Sequence, residues 1–170
     1  MTSGSSSQAQ ALSQVLIQEC ESCHALLETV EEERRAIKAL AITEFHDINL
    51  RRLAILETLQ TLTQSREAAI RGLAEMANLP EAATSVQALL DCWQSPHVPA
   101  LRRHHDALMT VAKRAREEIK QNVVLIEGIR HVIEGALAAG TATLSGADAY
   151  NRNGQRATLQ SSAAMLYQQG

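Results

Sequence analysis

A chain of 170 residues that is 45% hydrophobic and only 2% aromatic must build its interior from Ala, Leu, Ile and Val. Such a core suits interdigitating helices and serves sheets poorly, and this length supports one domain more comfortably than two. A formal charge of −3 with no concentrated basic face excludes a nucleic-acid binder, and no apolar run approaches the roughly 20 residues that a membrane span needs.

The start, MTSGSSSQAQ, has neither the basic residues nor the apolar core of a secretory leader. Together with three cysteines, an odd number, this predicts a cytoplasmic protein with free thiols. Residues 1–7 are rich in Ser and Gly and are expected to be disordered.

From Gln8 the apolar residues Leu12, Leu16, Cys20, Cys23, Leu27, Val30 and Ile37 step by threes and fours, which lays a seam along a first helix. The acidic run Glu31-Glu32-Glu33 followed by Arg34-Arg35 keeps one turn of it helical and wet. A second helix is predicted from about Thr43 to Met76, with a broad stripe of Phe45, Ile48, Leu53, Leu56, Leu59, Leu62, Ile70, Leu73 and Met76. Asn78-Leu79-Pro80 ends it, because a proline disfavours helix in the residue before it. The connection 81–99 should hold a short helix capped by Ser85, with Pro96 and Pro99 closing it and restarting the chain.

A third long helix is predicted from Pro99 to Ala139, its seam made of Leu101, Leu108, Val111, Ala115, Ile119, Val123, Ile126, Ile129, Ile133 and Leu137. Pro99 in its first turn and Gly140 beyond its end match the asymmetry of helix termini. Residues 141–170 are polar and small. Within them Ala157 to Tyr167 would place Leu159, Ala163 and Leu166 on one helical face, a piece too short to be stable alone. The fold class expected is all-α: an elongated antiparallel bundle of three long helices, with a short connecting helix and a flexible C-terminal tail. Residues 8–140 form the bundle domain and 141–170 a partner-binding tail. Three rods with wide stripes leave a groove that a fourth helix could fill.

Motifs of catalysis are few. Cys20-Glu-Ser-Cys23-His24 matches the attachment signature of c-type haem, but both cysteines fall on consecutive seam positions, where free Cys serves as a small hydrophobe. Glu21 and His24 form one Glu-x-x-His pair, whereas di-iron bundles need two. His104 and His105 are adjacent and so point about 100° apart on a helix; with His97 they read as solvated histidines. No phosphate loop, nucleophile elbow or H-E-x-x-H occurs. No enzyme activity, metal or cofactor is expected. Asn122 lies within an apolar run and either sets helix register or faces water at the seam's edge; the sequence leaves both open. Tyr150 precedes the turn-forming Asn151-Arg-Asn-Gly154 and would make a small amphipathic anchor in the tail.

Three stretches in order carry a resemblance. Glu33-Arg34-Arg35-Ala36-Ile37 leads through Ala41-Ile42-Thr43-Glu44-Phe45 to Asn49-Leu50-Arg51-Arg52-Leu53. Asn122-Val-Val-Leu-Ile126 follows within the last long helix, and Tyr150-Asn-Arg-Asn-Gly154 closes the series. From Gln8 to Gln155 the chain resembles the FlgN family of flagellar type III export chaperones. It departs from the family's pattern at Glu57, where a Lys is common, and in running sixteen residues past Gly154.

The resemblance implies partners. Family members hold the hook–filament junction proteins FlgK and FlgL by their terminal helices, prevent premature assembly and deliver them to the export apparatus. The last helix and tail are the binding part, which carries over to Leu125, Ile126, Ile129, Val132, Ile133, Leu137, Tyr150, Leu159 and Leu166. Tyr150 is the implied contact with the export gate protein FlhA. The alternative is an oligomeric coiled coil or a phasin-like coat protein that associates with itself.

Overall fold

A computed structural model describes residues 2–79, 83–145, 149–150 and 156–157 of the chain, with side-chain environments for 4–79 and 83–140. Four helices follow in order: α1 (Thr2–Ala39), α2 (Ile42–Met76), α3 (Val86–Cys92) and α4 (Val98–Ser145), then two short strands, β1 (Ala149–Tyr150) and β2 (Arg156–Ala157). The described residues are all-α apart from those two short strands. The chain divides into two compact units, Met1–Val124 and Leu125–Gly170.

In the first unit the seam of α1 is stricter than its cysteines suggested. Leu12, Leu16, Cys23, Leu26, Val30 and Ile37 are buried, and so are Glu19 and Glu33, which complete an unbroken alternation of four and three. Each buried glutamate meets an arginine of α2. Arg66 Nη1 donates to both oxygens of Glu19 at 2.7 Å, and Arg52 Nη1 donates to Glu33 at 2.7 Å. These pairs, with Arg51 on Glu32 and Gly72 against Gln8, run in opposite directions along the two helices, so α1 and α2 are antiparallel. Leu26 and Leu27 cluster with Ala115, and further along both helices Glu33 and Arg34 bond Asn122, so this part of α4 runs parallel to α1. Ala9, Leu12 and Leu16 of α1, Ile70 and Leu73 of α2, Val86, Leu89 and Leu90 of α3, and Leu101, Leu108 and Val111 of α4 share one core.

The ends of α1 and α2 repeat one device. Leu40, at φ 53°, donates to Ile37 O at 3.1 Å while Ala41 donates to Ala36 O at 3.0 Å. Asn78, at φ 48°, and Leu79 bond back to Glu75 and Ala74 in the same way. Both are left-handed helix caps that satisfy the last carbonyls. Asn78 turns the chain at the end of α2, which stops at Met76 as expected; Pro80 lies outside the described residues. Ser85 caps α3 as expected, its hydroxyl accepting from Ala88 N at 3.1 Å. Trp93, buried at the end of α3, stacks on His97 at 6.5 Å.

Four expectations are corrected. Residues 2–7 are the first turns of α1 and not a disordered lead, because Gly4 packs toward Met76 and Ala9 is already core. Gly140 does not end α4, which continues to Ser145; a mid-helix glycine costs only about 1 kcal/mol. Leu53 and Leu56 of α2 are 57% and 43% exposed and do not belong to the scaffold stripe. The segment expected to be a flexible tail holds an antiparallel pair, Ala149 opposite Ala157 and Tyr150 opposite Arg156. Ala157 is thus in a strand, and the rest of the helix expected to Tyr167 lies outside the described residues.

Candidate partner-binding surface

The feature that sets α4 apart is a change along one face. Up to Asn122 this face is core: Leu101, Leu108, Val111, Ala115 and Asn122 are all buried. Continued by helical spacing, the same face carries Leu125, Ile126, Ile129, Val132, Ile133 and Leu137. Here Leu125 and Ile129 are half-buried and the others exposed, with Val132 at 73% and Leu137 at 65%. Exposed aliphatic residues in so regular a row are the kind of patch that often marks a contact surface. Gly128 and Gly135 interrupt this stretch, with nothing within 4 Å of where a Cβ would stand.

The other residues singled out are spread unevenly. Tyr150 lies in β1, paired with Arg156, and Asn151 to Gly154 lie outside the described residues. So do Leu159 and Leu166. Leu50, Leu53 and Leu56 form a second exposed row on α2 that the sequence reading missed. The signal was there: the apolar arc of α2 is too wide for one buried face.

Within the first unit, α1, α2 and α4 line a half-open cleft of about 460 Å³. Leu26 of α1, Leu59 and Ile70 of α2, and Met109, Ala112 and Ile119 of α4 line it, with the Glu19–Arg66 pair on its wall. The bundle is thus incompletely filled on one side, in keeping with the groove expected of three rods.

The haem-like motif dissolves into packing. Cys23 is buried in the seam and Cys20 is partly buried beside it, while His24 Nδ1 lies 2.9 Å from its own helix's Cys20 O. Burial pushes both thiols up, helped by Glu21 at Cys20 and by Cys20 and Glu19 at Cys23, so the thiolate that attack or ligation requires is disfavoured. No group of three metal-ligating side chains occurs among the described residues. Titrating the native protein with a thiol reagent at pH 8 should modify exposed Cys92 at least tenfold faster than Cys23. Equal rates would show that the seam opens.

Asn122 is at the centre of a polar cluster and does not face water. At 1% exposure, it donates from Nδ2 to Val30 O and to Glu33 Oε2, each at 2.8 Å, and accepts from Arg34 Nε at 2.8 Å. Arg34 also reaches Glu118, with its carboxylate at 2.6 Å and its carbonyl at 3.2 Å.

The described residues are those of an all-α protein whose longest helix, α4, carries an exposed apolar row. The chain is a member of the FlgN family, whose model, described as FlgN protein, matches residues 1–158. That family is one of flagellar export chaperones and not of enzymes. No curated protein and no solved structure gives a significant match to the chain. No helix among the described residues is long and apolar enough to cross a membrane.

Proposed function

We propose that this chain acts in the cytoplasm as an export chaperone for the hook–filament junction proteins FlgK and FlgL. It covers their terminal helices and carries them to the type III export apparatus. The observation that supports this is the face of α4 that is buried through Asn122 and solvated from Ile126 onward. A client's amphipathic helix takes the place along Leu125, Ile126, Ile129, Val132, Ile133 and Leu137 that α1 takes along Ala115 and Asn122. The tail, through Tyr150, Leu159 and Leu166, closes over the client, and Tyr150 meets FlhA once the complex reaches the gate.

Calorimetry with purified FlgK and FlgL tests the proposal. Micromolar or tighter one-to-one binding is expected. Deleting residues 146–170, which leaves α4 whole, should weaken binding at least tenfold with unchanged far-UV helicity. Unchanged affinity would remove the tail from the site. Tyr150→Ala should lose FlhA binding while keeping FlgK. A tight dimer of the chain alone, held through the α4 face and indifferent to both clients, would favour the self-associating alternative.

A further inference from the structure

The apolar face of α4 repeats at intervals of seven residues. Leu101, Leu108, Ala115, Asn122, Ile129 and Ala136 are one such series, and Val111, Glu118, Leu125 and Val132 are another. A helix with this pattern fits its neighbours nearly as well after sliding by one heptad, about 10.5 Å at 1.5 Å per residue. Apolar contacts alone therefore do not say where along α1 this helix should stop. Each series is broken once, by Asn122 and by Glu118. These two lie one turn apart, and Arg34 of α1 reaches both, donating to Asn122 Oδ1 at 2.8 Å and to the Glu118 carbonyl at 3.2 Å and forming an ion pair with the Glu118 carboxylate at 2.6 Å. Asn122 then fixes Glu33, which is 2% exposed and is held from its other side by Arg52 of α2.

We propose that Arg34, Glu118, Asn122 and Glu33 are a register lock that keeps the partner-binding face of α4 out of the bundle. Sliding the helix one way puts Ile129 where Asn122 stands and Asn122 beside Leu26 and Leu27. A carboxylate then loses its donor and an amide enters an apolar layer. Sliding it the other way sets Ala115 against Glu33. Both movements strand buried polar groups, so a single register remains, as a lone core asparagine fixes register in coiled coils. The forward slide is the one with a functional consequence, because it draws Ile126 into the place of Ile119. The lock itself stands on the geometry of the first unit; only this consequence rests on the client reading.

Disulfide trapping in a background with Cys20, Cys23 and Cys92 replaced by Ala or Ser reads the register without any client. Ile119 packs with Leu26 in one cluster. Leu26→Cys with Ile119→Cys thus reports the observed register, and Leu26→Cys with Ile126→Cys the one displaced by seven. With the lock intact, only the first pair should close. With Glu118→Leu and Asn122→Leu together, Arg34 has no α4 partner and Glu33 keeps only Arg52 in every register, and yield of the second pair should rise at least tenfold. Adding Glu33→Leu and Arg34→Leu removes the stranded charges and keeps the comparison if the double variant folds poorly. Restoring Asn122 alone should recover most of the original register. Trapping of only the first pair in both the double and the quadruple variants would overturn the lock. A shifted register with undiminished affinity for FlgK would leave the lock standing and overturn the client reading of the α4 face.

Discussion

Replacing Val132 and Leu137 together by Asp should weaken client binding at least a hundredfold and leave the fold intact. Both side chains are well solvated in the free chain, at 73% and 65% exposure, so neither stabilises it appreciably. Surface substitutions of this kind usually stay within about 0.5 kcal/mol of the parent. Covering each side chain with a partner helix contributes up to about 1.5–3 kcal/mol, and an aspartate there would instead carry a charge into an apolar contact. Losing roughly 3–6 kcal/mol corresponds to two to four powers of ten in affinity. The comparison is Ile42→Asp, 81% exposed at the start of α2 and off this row, which should stay within threefold. Calorimetry for affinity and a thermal melt for stability check both halves. A double Asp variant that binds as tightly as Ile42→Asp would place the client elsewhere.

The second large effect is on stability. Arg66→Ala should lower the unfolding free energy by about 3 kcal/mol, the lower end of the range for stripping one partner from a buried pair, since Arg66 itself is partly solvated. Glu19 is 2% exposed and takes two bonds of 2.7 Å from Arg66, with only Thr63, at 3.3 Å, to help once it is gone. For a chain of this size the melting temperature should fall by roughly 6–12 °C. The double variant Glu19→Leu with Arg66→Leu should recover most of the loss, because an apolar pair of similar volume removes the stranded charge. By contrast, Lys120→Ala, which breaks a solvated pair with Glu117, should change stability by less than about 1 kcal/mol. Chemical denaturation of the four proteins side by side measures all of this; equal losses for Arg66→Ala and Lys120→Ala would refute it.

What could be seen in the sequence and what could not divide along physical lines. Ser85 as a cap and Pro99 in the first turn of α4 are local chemistry, readable from a few neighbours, and both stand. The seam of α1 was followed through Cys20 and Leu27, one position away from Glu19 and Leu26, because a glutamate is assumed to face water. It does so unless a partner neutralises it, and Arg52 and Arg66 are spaced along α2 by the same two heptads that separate Glu33 from Glu19. That coincidence is visible only when two helices are laid side by side. The exposed leucines of α2 were absorbed into one stripe for a related reason: periodicity locates apolar arcs and does not say which are covered. Gly140 was read as a terminator although a single glycine is tolerated within a helix where alanines such as Ala138, Ala139 and Ala142 surround it. The row on α4 was legible as apolar throughout, but the change from buried to solvated beyond Asn122 depends on what packs against it, which no single sequence states.

Gly128 and Gly135 bear on how long a client stays. With no neighbour filling the space beside them, they loosen α4 without improving any contact, each weakening the helix by about 1 kcal/mol relative to alanine. The stretch proposed to bind a client is therefore the part of the helix expected to open most easily. Contacts on a support that opens readily dissolve faster than the same contacts on a rigid one, and among related complexes residence time is where affinity differences reside. On the proposed reading, a carrier that surrenders its cargo at an export gate gains from a brief hold, and replacing both glycines by alanine should lengthen it.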